Sequence, residues 1–343
     1  MSAPSASPLA EARKVLIIVA VVQFVIAGWF SWTSSHVKPR DLPVLVVAAG
    51  QQGTGVADAL REAAPGAYKI KTADDAEAAD KKLKDREAYG AFVSTAKGLE
   101  LHIASAASPA VAQALVQQAQ ELQGGKPVAV SDVVPADSDD PHGSGIGMGF
   151  LPLLITAVIA GLLFVLKVRS PRAKLVGLVG FAVLSGLLSS LMLTQFTSVL
   201  PGNYFVTAGV IALLELAMVG IITGLGSLIG PPGIALAAVL TFVVGNPLSG
   251  MASAPEMLPQ PLGAIGQFLP AGAAATLFRS AGSFHGAGAG GPVLVLVVWS
   301  LIGLGLLFLS AKRAGAKTDA GTAAPSGTAA EAASAEPVAA SAG

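Results

Sequence analysis

Long apolar stretches without a charged side chain are the feature that most limits what this chain can fold into. The first runs from Val15 to Trp32, and a helix of that length covers about 27 Å at 1.5 Å per residue. The hydrocarbon core of a bilayer is about 30 Å thick. A cleaved signal peptide is the alternative, but its apolar region is shorter, about 7–15 residues, and does not end in an aromatic belt such as Trp29 to Trp32. The sequence therefore predicts an uncleaved first transmembrane helix over residues 13–35.

Further candidate spans follow in the second half of the chain. They are Ile146–Leu166, Leu175–Phe196, Phe205–Ile229, Gly233–Leu248 and Val293–Ser310. Only 12% of the residues are charged, against about 25% in soluble domains, and 53% are hydrophobic. We expect an α-helical polytopic membrane protein of about six transmembrane helices, five of them in residues 146–312.

The Gly233–Leu248 span is short, and the preceding Gly230-Pro231-Pro232-Gly233 predicts a turn. A broken hairpin that does not cross the membrane is the alternative for this segment.

Residues 36–145 have a different pattern, rich in charge and alternating between strand and helix periodicity. Strands are predicted at Leu42–Ala48, Tyr68–Lys71, Gly90–Ser94, Leu99–Ala104 and Val128–Val134, and helices at Gly55–Ala63, Asp74–Ala88 and Ser108–Leu122, the last capped by Ser108. The prediction is an extracytoplasmic α/β domain inserted between the first and second transmembrane helices.

The distribution of basic residues predicts the orientation. With six spans and a cytoplasmic N-terminus, the cytoplasmic connections contain Arg13, Lys14, Lys167, Arg169, Arg172, Lys174, Lys312, Arg313 and Lys317. The two short outer connections contain only Arg279. The positive-inside rule therefore places both termini in the cytoplasm of a multi-pass protein of the cell membrane, with the α/β domain outside.

The ends of the chain and residues 250–290 have no span-like pattern. Residues 1–12 and 313–343 are predicted to be disordered, because they are small and polar. Residues 250–290 are too apolar for a free loop, and their prolines break any helix of spanning length, so we expect a re-entrant outer segment. Arg279 is expected to reach water there or to pair with Glu256.

Few residues of the predicted membrane region are candidates for a functional role. Glu215 is the only ionisable residue inside a predicted span, so it is either a substrate- or proton-contacting carboxylate or a hydrogen-bonded glutamate that fixes helix packing. Glu256 and Arg279 are further candidates for a substrate path. Helix packing is the expected role of four glycines, Gly145, Gly149, Gly220 and Gly224.

Catalytic and cofactor motifs are missing from the sequence. The chain has no cysteine, no ligand-type spacing of its four histidines and no P-loop. We expect no catalytic residue, no metal and no cofactor. The net charge is zero, so the chain has no excess of basic residues that would indicate a nucleic-acid partner.

Several motifs resemble a known family. They are Gly245-Asn246-Pro247-Leu248-Ser249-Gly250-Met251, Pro255-Glu256-Met257-Leu258-Pro259, Phe268-Leu269-Pro270-Ala271-Gly272, Leu277-Phe278-Arg279 and Phe284-His285-Gly286, with Asp140-Pro141-His142-Gly143 before the second span. They look like the ABC-2-type membrane family, in its YhgE/Pip-like (phage infection protein-like) branch. The resemblance implies either an exporter permease that lies in the lipid bilayer as a homodimer, with a separate cytoplasmic ABC ATPase subunit, or a family member of undefined role.

Two functions from different classes follow. The leading hypothesis is a permease subunit that exports an amphiphilic or lipid-like compound. The alternative is a non-transporting envelope protein whose external domain binds a partner, a polymer or a phage. An anchored external enzyme is disfavoured, because five further spans are more than anchorage requires.

Overall fold

The computed structural model describes residues 8–47, 51–96, 98–137, 140, 144–197, 200 and 202–322. Within these ranges, five helices are long and apolar enough to cross a membrane: Pro8–Ser35, Gly147–Lys167, Pro171–Phe196, Tyr204–Ile229 and Gly290–Ala314. The protein is therefore a multi-pass helical membrane protein with a small sheet, as the sequence predicts.

The sheet and its helices lie between the first and second of these spans. In chain order they are β1 (Leu42–Val47), α2 (Gln51–Ala63), β2 (Tyr68–Ala73), α3 (Ala76–Lys84), β3 (Gly90–Thr95), β4 (Gly98–Ile103), α4 (Pro109–Leu122) and β5 (Ala129–Asp132). We call residues 42–132 the α/β unit. The Ser108 hydroxyl caps α4 by accepting from the Val111 N–H at 3.3 Å.

The strand order is β2-β1-β3-β4-β5. Strand β1 is parallel to both β2 and β3, with Val44 opposite Ile70 on one side and Gly90 on the other. Strands β3 and β4 are antiparallel, and β5 adds in parallel to β4. The central strand β1 is an unbroken apolar run because helices cover both faces of the sheet.

The remaining helices form the bundle and its connections. They are α1 (Pro8–Ser35), α5 (Ser144–Lys167), α6 (Pro171–Ser190, continued by a π-helical turn Leu191–Phe196), α7 (Tyr204–Ile229), α8 (Pro231–Ala238, continued by a π-helical turn Val239–Val244), α9 (Leu262–Gly266), α10 (Pro270–Ser283) and α11 (Gly290–Thr322).

Helix α7 is the centre of the bundle. In its most apolar window 67% of the residues are buried, against 22–28% in α5, α6 and α11 and none in α1. Glycines allow this close packing: a Cβ on Gly161 of α5 would lie 2.6 Å from a side-chain carbon of Ile222, and one on Gly186 of α6 would overlap the carbonyl of Ala208. Small residues at helix interfaces are the usual means of association in membranes.

Helices α7 and α11 run parallel. Gly303 of α11 lies beside Gly220, and Leu306, one turn further on, lies beside Gly224. The chain between them must therefore return to the end of the bundle where α7 begins. Helix α8 begins this return, and the indole N–H of Trp29 in α1 donates to the carbonyl of Val243 at its end, at 3.0 Å.

Three local predictions were wrong. Residues 8–12 are helical rather than disordered, and α11 continues to Thr322, ten residues into the predicted tail. Both extensions contain several alanines, the residue of highest helix propensity, and both continue an existing helix. Pro231 and Pro232 begin α8 instead of forming a turn, because proline is well accommodated in the first helical turn. Residues 1–7 and 323–343 lie outside the described ranges.

Candidate functional site

Glu215 lies in the middle of α7 and is fully buried. Its Oε1 accepts a hydrogen bond from the Ser185 hydroxyl of α6 at 3.3 Å. Its Oε2 has no partner among the described residues. A carboxyl group with one unsatisfied oxygen in an apolar bundle is costly. Both sequence hypotheses, a functional carboxylate and a packing glutamate, remain predictions.

The predicted packing glycines lie in three places. Gly220 and Gly224 face α11, where a Cβ on Gly224 would lie 2.5 Å from the carbonyl oxygen of Gly303. Gly149 of α5 lines a narrow gap together with Phe278 of α10. Gly145 is in the first turn of α5, and its surroundings lie outside the described residues.

Arg279 and Glu256 are close to the α/β unit but do not form an ion pair, so that part of the prediction was wrong. The Arg279 side chain is buried rather than in water, and its Nη2 donates to the carbonyls of Gly250 at 2.9 Å, Met251 at 2.5 Å and Ser253 at 3.3 Å. The reason is the tight turn at Gly250, whose φ of 68° brings these three carbonyls to one guanidinium nitrogen.

Glu256 instead contacts the α/β unit. Its carboxylate accepts from the Tyr89 hydroxyl at 2.9 Å. Burial raises the pKa of Tyr89, and the neighbouring charge of Glu256 raises it further. Tyr89 therefore stays neutral and donates its proton to this carboxylate.

Arg86 makes the second polar contact between the α/β unit and this region. It follows α3 in a left-handed conformation, with φ of 62°, which is uncommon for a residue other than glycine. Its Nη1 donates to the Thr276 carbonyl at 3.0 Å and to the Ser280 hydroxyl. Its guanidinium lies 5.2 Å from the centre of the Phe284 ring. Burial lowers the pKa of Arg86.

Apolar residues complete the same junction. Ala254 and Met257 belong to the core on one face of the sheet, beside Phe92. Phe284 belongs to the core on the other face. The N–H of Arg40 donates to the carbonyl of Glu256 at 2.9 Å. We call these contacts between the α/β unit and residues 250–287 the junction.

A cleft of about 850 Å³ lies against the junction. Arg40, Arg86 and Glu256 form its polar wall, and Phe268, Leu294 and Val295 form its apolar wall. The indole N–H of Trp299 donates to the Phe268 carbonyl at 2.7 Å and fixes that wall to α11. We call this space the junction cleft. Its two walls fit a molecule with one charged end and one apolar end.

Sequence reasoning missed Arg86, Tyr89 and the cleft. Arg86 is one of several charges in the helical run Asp74–Ala88, so it resembled a solvated surface residue. Only the tertiary fold brings it to Thr276, 190 positions later. Within the described part of the chain, no cluster of three or more His, Cys, Asp or Glu side chains could hold a metal ion.

Comparison of the chain with family models, with curated proteins and with solved structures finds no match. By its fold the chain is a multi-pass helical membrane protein with a small sheet, and its α/β unit contacts residues 250–287.

Proposed function

We propose that this chain is an ABC-2-like permease subunit that exports an amphiphilic or lipid-like compound with a separate cytoplasmic ATPase. The junction cleft carries the proposal. It pairs charged groups with an apolar wall and lies beside the first turns of α11, so a ligand there has access to both water and the membrane-spanning surface.

The proposed topology has six crossings, with both termini in the cytoplasm and the α/β unit outside. Helix α8 and its π-helical turn, Pro231–Val244, cover about 21 Å, which is less than the hydrocarbon thickness. The parallel course of α7 and α11 supports a crossing nevertheless, since the chain must return between them. The basic residues of the short connections support the orientation.

Residues 250–290 are proposed to be re-entrant at the outer face. Their irregular backbone is covered by protein, as membrane depth requires: α10 packs on α7 and α11, and Arg279 satisfies three of the turn carbonyls.

Cysteine labelling tests this topology, and the chain has no native cysteine to interfere. Single cysteines at Gln260 and Ser283 are expected to react with an impermeant thiol reagent from outside, and a cysteine at Ser170 only after the cells are opened. A reporter fused at Ala320 should give a cytoplasmic signal. An outside signal at Ala320 would mean that α8 does not cross.

Affinity purification in mild detergent tests the function. An ABC ATPase is expected to co-purify with the wild-type chain. Reversing the charges in the short α5–α6 connection, with Arg169→Glu and Arg172→Glu, should abolish the co-purification if that connection is cytoplasmic. The matched control reverses two exposed charges of α3, with Lys81→Glu and Lys84→Glu, and should keep the ATPase. Recovery of the intact chain without any ATPase would favour the alternative, a non-transporting envelope protein.

A further inference from the structure

We infer that the junction cleft binds an anionic amphiphile, with the acidic head at Arg86 and the acyl chain against the apolar wall. This names the substrate class of the proposed exporter and rests on that proposal for its role in transport. The binding itself depends only on the cleft.

The charge balance at the floor of the cleft supports an acidic head. Two guanidinium groups, Arg86 and Arg279, are close enough to Glu256 to feel its charge, and this is one carboxylate for two cations. Neither arginine has a carboxylate oxygen within 4.0 Å among the described residues. The three close pairs there are Arg61–Asp58, His102–Asp80 and His102–Glu100. One positive charge is therefore left without compensation in a largely buried place.

The two arginines differ in access to a ligand. Arg279 is buried and directs its Nη2 to backbone carbonyls, away from the cleft. Arg86 lines the cleft, and only its Nη1 has a hydrogen-bond acceptor among the described residues. The remaining donors of its planar guanidinium suit a carboxylate or phosphate oxygen.

The acidic residues at the cleft do not cancel this charge. Asp41 and Glu87 also line it, but both are exposed, so water screens them more strongly than the buried groups. Arg40 adds a further cation on the same wall. The half-buried floor is thus the positive part of the cleft.

The opposite wall requires an apolar chain rather than a free anion. Phe268 is 69% exposed and Leu294 is 64% exposed, and both line the cleft. Leu294 lies in the first turns of a candidate membrane-spanning helix, so an acyl chain lying on it continues into the lipid-facing surface. Burying such a chain contributes about 0.8 kcal/mol per CH₂ group.

Native mass spectrometry of the full chain in a neutral detergent tests the inference. The probes are phosphatidylglycerol, which is anionic, phosphatidylcholine, which is zwitterionic and has the same acyl chains, and inorganic phosphate. We expect phosphatidylglycerol to bind about tenfold or more tightly than phosphatidylcholine, as one charge-assisted contact would give. Phosphate alone should neither bind nor displace the lipid. Binding of phosphate as tight as that of the lipid would overturn the inference in favour of an inorganic anion site.

Variants of both walls locate the site. Arg86→Gln should lose the preference for phosphatidylglycerol, whereas Arg86→Lys should keep part of it. Leu294→Trp should fill the cleft and weaken binding, and Leu301→Trp is its control, since Leu301 is 63% exposed on the same helix and does not line the cleft. Equal binding by Leu294→Trp and Leu301→Trp, or an unchanged preference in folded Arg86→Gln, would overturn the inference. No ATPase is present in this measurement, so its failure is distinct from failure of the proposed export function.

Discussion

The interface between α7 and α11 and the junction hold their parts together by opposite means. At the α7–α11 interface, glycines let the two helices approach closely, with Gly220 and Gly224 packed against Gly303. The junction combines apolar contacts with two long polar side chains: Arg86 bonds to Thr276, 190 positions away, and Tyr89 bonds to Glu256, 167 positions away. The α7–α11 interface is therefore specified by shape, whereas hydrogen bonds across the junction help to place the α/β unit. The variants below perturb the segment that carries the junction, the α7–α11 interface, the junction itself and a polar contact inside the bundle, in order of the expected loss of stability.

The largest loss is expected from Arg279→Met. Methionine fills similar space but leaves the carbonyls of Met251 and Ser253 buried without a donor among the described residues, whereas the Gly250 carbonyl keeps the Ser253 N–H. The change should cost roughly 3 kcal/mol of unfolding free energy. Thermal unfolding in detergent measures the effect. The matched control is Arg61→Met, because Arg61 is exposed and its pair with Asp58 at 2.7 Å lies on the surface, where such pairs contribute about 0–1 kcal/mol. Equal melting of the two variants would contradict the role given to Arg279.

A smaller loss is expected from Gly224→Ala at the α7–α11 interface. The new Cβ would lie 2.5 Å from the Gly303 carbonyl oxygen and 2.9 Å from Leu306 Cβ, so the helices must separate. Overpacking of this kind costs about 1–3 kcal/mol. Gly209→Ala and Gly305→Ala are the controls, since a Cβ at either position meets no atom of another described segment within 4 Å. If Gly224→Ala has the same melting temperature as the two controls, shape does not specify this interface.

A still smaller, pH-dependent loss of stability is expected at Tyr89. In the whole protein the pKa of Tyr89 is raised, whereas once the junction opens the phenol ionises at its ordinary value, about 10. The junction therefore contributes its full stability below about pH 10 and loses it as the pH rises further, because alkali favours the open state. Ultraviolet titration of the three tyrosines measures this.

The isolated α/β unit provides the reference for that titration. Residues 40–136 alone are expected to be soluble and to fold cooperatively, and Tyr89 should then titrate near pH 10. Tyr68 should still titrate near its raised pKa of about 12, because burial and Glu121, both within the unit, raise it. A Tyr89 that resists titration in the isolated unit would mean that its burial does not depend on the junction.

The smallest effect on stability is expected from Glu215→Gln, which keeps the shape and the hydrogen bond to Ser185. Its free energy of unfolding should stay within about 0.5 kcal/mol of the wild-type value. If Glu215 has an ionisable role, export should nevertheless be lost in both Glu215→Gln and Glu215→Leu, at normal expression. If its role is packing, Gln should behave as wild type and Leu should lower expression. Normal activity of Glu215→Leu would exclude both roles.

The sequence was informative where a pattern is local. Continuous apolar runs located the long helices, and strand and helix periodicity located every element of the α/β unit to within a few residues, except that α3 ends at Lys84. That end depends on the left-handed conformation at Arg86, which no periodicity indicates. The junction could not be predicted, because it needs the pairing of Arg86 with Thr276 and of Tyr89 with Glu256, and one sequence gives no sign of such distant contacts.

The distance between the α/β unit and the bundle shows directly whether the junction fixes the unit to the bundle. A double variant with cysteines at Gln117 of α4 and Leu301 of α11, both exposed, would carry one spin label at each position. Pulsed dipolar spectroscopy in lipid nanodiscs would then measure the distance between the two labels. We expect one narrow distance distribution for the otherwise wild-type chain and a broadened one when Arg86→Gln is added. A broad distribution in the chain with an intact junction would contradict a unit fixed to the bundle, and with it the junction cleft.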